Sequence, residues 1–199
     1  QPDVIGSNAR QRCMAQPHFL QTCCFVDFPM NADAISDLIL AVVAFSIAFV
    51  QLRQRPALAI GCGLIGLAAA IGTLHYQYGE LFAGPHRFTG LVAASAGFPL
   101  LVIALRWPDD SVAQRITAAG RFALLISVSG FDTWRMLVPL GSVLLICATA
   151  LVTRRVMPLG AALVFIVSLA AGATGEEMLG PLSGIQWLHY LLSLALLLL

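Results

Sequence analysis

The stretch GTLHYQYGELFAGPHRFTG, residues 72–90, decides how this chain folds. Apolar sequence runs away from it on both sides. His75 and His86 lie eleven residues apart within it. Were the helix continuous, their Cα atoms would stand about 16 Å apart at 1.5 Å of rise per residue. Gly84–Pro85 argues for a break instead, because glycine loosens the backbone and proline removes a donor. With a reversal here, two apolar helices run antiparallel and the two imidazoles face each other across them.

Composition supports helices that need an apolar solvent. Of 199 residues, 59% are hydrophobic and 11% charged, with a mean hydropathy of +0.87. Soluble domains carry about a quarter charged residues, so this chain reads as an integral membrane protein. The net charge of +1 and the absence of basic runs exclude a nucleic-acid-binding role. Every basic residue is Arg. Cys62 and Cys147 fall in apolar runs and read as packing residues, whereas Cys13, Cys23 and Cys24 belong to the N-terminal segment. No CxxC or Cys/His zinc spacing is present.

Residues 1–30 are polar and irregular, with no apolar core of a signal peptide. They read as an extension, mobile or foreign to the working fold. In MNADAISD (30–37), Asn31 or Asp33 can cap a helix entering the first apolar stretch. From residue 31 to 199 the chain reads as one membrane domain. Seven apolar stretches, near 34–52, 57–78, 87–106, 113–131, 134–153, 156–174 and 183–199, approach the ~20 residues needed to span a bilayer. The fourth is interrupted by Arg121. Short linkers make neighbours antiparallel, so the expected fold is an all-α, seven-transmembrane-helix bundle. GCGLIGLAAAIG (61–72) spaces small residues for close packing and puts the second helix at the centre.

Orientation follows from arginine placement. With the N-terminus outside, inner loops hold Arg53, Arg55, Arg106, Arg115, Arg154 and Arg155, and outer loops hold only Arg87 and Arg135. The expectation is therefore N-out and C-in, multi-pass, in a bacterial inner (cytoplasmic) membrane. Membrane lipids are the expected partners, with a membrane-protein partner or a second copy of the chain as further ones.

Three of the four histidines then collect at the outer side. His75 ends the second helix, His86 starts the third, and His189 lies about six residues into the seventh, roughly 9 Å down. Glu80, Asp132, Glu176 and Glu177 ring the same rim. Ionisable side chains in apolar helices are costly, and each is a functional candidate. Each also has a plain structural reading: His75 as part of an aromatic belt with Tyr76 and Tyr78, His86 solvated beside Arg87, His189 as an interhelical hydrogen bond. Taken together, His75, His86 and His189 form a candidate zinc site with a fourth position open to water. Glu177, Glu176 or Asp132 is then the general base. A site at that depth suits a lipid amide or ester at the outer leaflet. Two other expectations compete: a b-type haem held between His75 and His189, and a non-enzymatic accessory or sensor subunit of a membrane complex.

This pattern resembles the alkaline ceramidase and adiponectin-receptor superfamily of seven-helix membrane hydrolases. The resemblance implies a zinc site with one His on the second helix and an HxxxH pair on the seventh. It also implies a Ser one turn before the first His and an Asp on the third helix. His75 matches the first ligand and His189 the second His of the pair. His86 stands where the Asp is expected, Ile71 at the Ser position and Ile185 at the first His of HxxxH. By this resemblance, His86 replaces the missing ligand.

Overall fold

The computed structural model describes residues 30–108, 111–128 and 134–199. The extension expected over residues 1–30 falls outside these except for Met30, and so does Asp132. The described chain is mostly helical, with a short antiparallel ladder in which Met178 faces Ser183 and Leu179 faces Leu182.

Local chemistry sets each boundary at the end that carries the histidines. The helix α1 (Ala32–Gln51) begins where the Asn31 side chain accepts a hydrogen bond from the Asp33 amide at 3.1 Å. Of the two expected caps, Asn31 serves. The helix α2 (Pro56–Tyr78) opens on a proline, whose missing N–H costs nothing in a first turn. It stops at Gly79, which has φ +70°, a left-handed conformation that glycine adopts freely. One 3₁₀ turn, Gly79–Phe82, leads into α3 (Ala83–Val92). The reversal therefore lies at Gly79 and not at Gly84–Pro85, which is a correction to the sequence reading. Pro85 sits in the first turn of α3, where its lack of a donor breaks no helical bond.

A π-helical turn, Ala93–Gly97, joins α3 to α4 (Phe98–Arg106). Then come α5 (Ser111–Val128), α6 (Trp134–Thr153), α7 (Val156–Gly172) and α8 (Gly184–Leu197). Helix α5 runs through Arg121, whose side chain is exposed. Ser183 starts α8 with a capping box: its hydroxyl accepts from the Gln186 amide at 3.2 Å, and the Gln186 side chain accepts from the Ser183 amide at 3.4 Å.

Packing centres on α2, which meets α1, α3, α4 and α5. Small residues allow this. A Cβ on Gly61 would stand 2.9 Å from the Gly97 carbonyl oxygen, so α2 and the π turn approach to backbone contact. The core between α4, α6 and α7 is filled by Ile103, Ile146 and Phe165, with Phe98 set edge-on to Phe165 at 5.6 Å between ring centroids. The outside is also apolar. Phe49, Val152 and Val156 are each at least 80% exposed.

Among the described residues, Ala32–Gln51 and the run Pro56–Arg106 are long and apolar enough to cross a membrane. Leu137–Thr153, Val156–Gly172 and Gly184–Leu197 are shorter apolar helices. Helices α1, α3 and α8 begin at one end of the molecule, where α2 and α7 finish.

Gly61→Ala is expected to lower stability by about 1–3 kcal/mol, because the added methyl meets backbone that cannot turn aside. Gly63→Ala, with open space around its Cβ position, should change stability by no more than about +1 kcal/mol. Thermal unfolding in detergent reads both, and equal effects at the two sites would refute the close-approach account.

Candidate functional site

Where α1, α2, α3 and α8 meet, polar side chains gather inside the apolar fold. Asp33 and Asp37, one turn apart on α1, face α8. Asp33 Oδ1 accepts from Gln186 Nε2 at 2.8 Å and from the Ser183 hydroxyl at 3.3 Å. The first turn of α1 is thereby tied to the cap of α8, and two helix N-termini place their positive ends near this carboxylate. The Asn31 amide adds a bond to Gln77 Oε1 on α2 at 3.4 Å.

That lock brings His189 against α1. Its Nδ1 lies 2.9 Å from Ser36 Oγ and its Nε2 lies 3.2 Å from Asp37 Oδ1. Ser36, Asp37 and His189 are all buried, and Asp37 is only 1% exposed. The tautomer follows from counting donors. The Ser36 hydroxyl donates to the Asp33 carbonyl at 2.8 Å, so it accepts from His189 Nδ1–H. In the neutral ring the Nε2 lone pair then faces a carboxyl oxygen, and two acceptors that close need a proton or a cation between them. The same count rules Ser36 out as a nucleophile in this state: it is buried and its proton is committed to backbone.

Asp37 Oδ2 is buried with no hydrogen-bond partner among the described residues. It is pressed against Gly72 of α2, where any Cβ would collide with it. The same Cβ would stand 3.1 Å from His86 Cε1. Gly72 thus clears a space on α2 into which α1 sends a carboxylate and α3 an imidazole. His86 stacks on His75, with ring centroids 5.1 Å apart and planes 18° from parallel. His75 Nδ1 donates to the Gly79 carbonyl at 3.0 Å, which fixes that ring with Nε2 as its acceptor nitrogen. Tyr76 meets the edge of His86 at 5.9 Å, and its phenol lies within electrostatic reach of Asp37, Asp33 and Glu176.

The three histidines named from sequence therefore share one end of the fold, as a stacked pair (His75, His86) and a separate ring (His189) within electrostatic reach of His86. Glu176 and Glu177 are exposed in the connection from α7 to the short ladder. Asp132 lies outside the described residues. Among the described residues, no three His, Cys, Asp or Glu side chains already stand around one point as metal ligands.

Sequence reading missed Ser36 and Asp37. The signal was in DAISD (33–37): two acids four residues apart share a helix face, and the second lies a full turn inside an apolar run, where a carboxyl group needs a partner.

Comparison with protein families, with curated proteins and with solved structures finds no match for this chain. The site must be read from its own chemistry.

Asp37→Ala and His189→Ala should each cost about 3–5 kcal/mol, since either leaves a buried polar partner uncompensated. The double variant should fall short of the sum by about 1–3 kcal/mol. A double-mutant cycle on thermal unfolding checks this, and strict additivity would show that the pair is not coupled.

Proposed function

We propose that the chain is a multi-pass membrane protein of seven apolar helices, with the start of α1 outside and the end of α8 inside. Its histidine end is a metal-dependent hydrolase centre for a lipid amide or ester of the outer leaflet. The membrane part is supported by the two long apolar runs, by large apolar side chains exposed to the surroundings, and by the arginine bias of the loops. It is also supported by the helical reversal at Gly79, which lets α2 and the α3–α4 run cross separately.

One observation carries the hydrolase reading: the Nε2 lone pair of His189 and a carboxyl oxygen of Asp37 face each other in a buried polar cluster. Their other groups are disposed as in metal sites. Nδ1–H of His189 is spent on Ser36 and Nδ1–H of His75 on the Gly79 carbonyl, the outward bonds that ligating histidines make. Asp37 Oδ2 has no partner among the described residues. The donor chemistry therefore fits zinc. In this reading Asp37 and His189 hold the metal, His86 approaches from Gly72, and His75 backs His86. Of the His75–His86–His189 set expected from sequence, this reading keeps His86 and His189 as ligands, adds Asp37 and gives His75 a supporting place behind His86.

Zinc, when bound, would supply a Lewis acid for the carbonyl of the lipid and a water more acidic than bulk water. The remaining work falls to the chain. Asp33, Ser183 and Gln186 hold α8 so that His189 stays opposite Asp37. Tyr76 is a hydroxyl donor at the rim, and Glu176 is the surface acid that takes up a proton there, with Glu177 beside it.

A second reading has its own support, since both nitrogens of His189 already hold protein partners. Asp37 and His189 then share a proton, no metal binds, and the chain is an accessory or sensor subunit. The same double engagement of His189 weighs against a haem held by His75 and His189.

Purified protein is expected to carry about one zinc per chain. Asp37→Ala and His189→Ala should lose it, together with roughly a hundredfold or more of any ceramide or lipid-ester hydrolysis. Metal-free, folded wild-type protein would sink the hydrolase reading and leave the subunit reading, and a Soret band would restore haem.

A further inference from the structure

The opposite end of the molecule holds a different chemistry. A cavity of about 460 Å³ is lined by Arg53, Arg55, Arg155, Pro108, Pro158 and Leu199, among others, with no acidic side chain lining it among the described residues. Here α1, α4 and α8 finish and α2 and α7 begin. Three guanidinium groups border one space, where a bound anion would be shared among them.

Sequence position makes the concentration of charge less ordinary. Arg55 and Arg155 occupy the cap positions of α2 and α7, and neither helix has a side-chain cap. Ser, Thr, Asp or Asn normally fills that position, and a cation there opposes the positive end of the helix dipole. The same local rule is broken twice, at two helices that open on one cavity. Arg154, just before Arg155, has φ +52°, the only positive φ among the described non-glycine residues. Backbone strain is therefore accepted at the turn that delivers Arg155. An excess of inner-loop arginine would orient the chain in a membrane without any of this convergence.

We propose that this cavity binds a phosphate group. Arginine forks match phosphate oxygens in pairs, and three of the cavity's lining residues are arginines. Arg55 is partly committed, donating to the Ala104 carbonyl at 3.3 Å and the Leu199 carbonyl at 3.4 Å. It anchors the site between α2, α4 and α8, while the exposed Arg53 and Arg155 supply the rest of the charge. The phosphate belongs to an anionic lipid headgroup or to a soluble phosphate. The lipid source rests on the membrane reading above; the soluble source does not, and neither depends on zinc at the other end.

The test uses the full chain in detergent micelles. Phosphatidylglycerol, phosphatidylcholine and inorganic phosphate are added separately, and binding is followed by native mass spectrometry and thermal shift. Phosphatidylglycerol retained well above phosphatidylcholine identifies a lipid source, and a thermal shift with inorganic phosphate alone identifies a soluble one. Either supports the site, provided that the double variant Arg53→Gln/Arg155→Gln weakens that binding roughly thirtyfold. Arg55 is left intact because its carbonyl bonds join three helices. Equal retention of both lipids with no phosphate shift overturns the proposal in the wild-type chain alone, and so does a folded double variant that binds as wild type. Asp109 and Asp110, next to Pro108, lie outside the described residues. Binding seen only in Asp109→Asn/Asp110→Asn also overturns it, since the chain's own acids would then fill the cavity.

Discussion

A carboxyl group buried in an apolar helix bundle has to find a partner, and Asp37 finds His189 at 3.2 Å. Much of the histidine end follows from that requirement. The pair holds α8 beside α1 over a separation of more than 150 residues in the chain. Asp33, one turn earlier, fastens the start of the same two helices through Gln186 and Ser183. Because the second oxygen of Asp37 lies flat against α2, residue 72 has to be glycine. The opening at Gly72 in turn admits His86. One buried carboxyl group thus constrains four helices and the rings between them.

Close packing and hydrogen bonds help to decide which helices are neighbours. Gly61 against Gly97 settles the meeting of α2 with the π turn. Ser168 Oγ, donating to the Leu188 carbonyl at 2.9 Å, does the same for α7 and α8. Phe98 and Phe165 fill the space between α4 and α7. Carboxylates and imidazoles gather at one end, and Arg53, Arg55 and Arg155 border one cavity at the other.

Much of this was legible in the residues. Helices occupy most of each apolar stretch, Asn31 caps the first, and the small-residue run 61–72 does lie in the most heavily contacted helix. Those features are local, set by propensity, caps and spacing. The turn was placed five residues late, because Gly84–Pro85 is the stronger punctuation in the sequence, while of Gly79 and Gly84 it is Gly79 that takes the left-handed φ. Asp37 was passed over because its neighbour Asp33 already had a sufficient local reading as a cap, and a cap hides the face that both acids share.

By itself the sequence determined that this is an apolar, helical chain, with three of its four histidines expected at one end and most of its loop arginines at the other. Composition and hydrophobic run length act residue by residue and need no knowledge of neighbours. Only the tertiary structure decided that His189 belongs with Asp37 and Ser36, and that His75 belongs with His86. Pairing between helices depends on rotation about their axes and on where glycine lets backbones touch. Neither is written in the spacing of histidines along the chain.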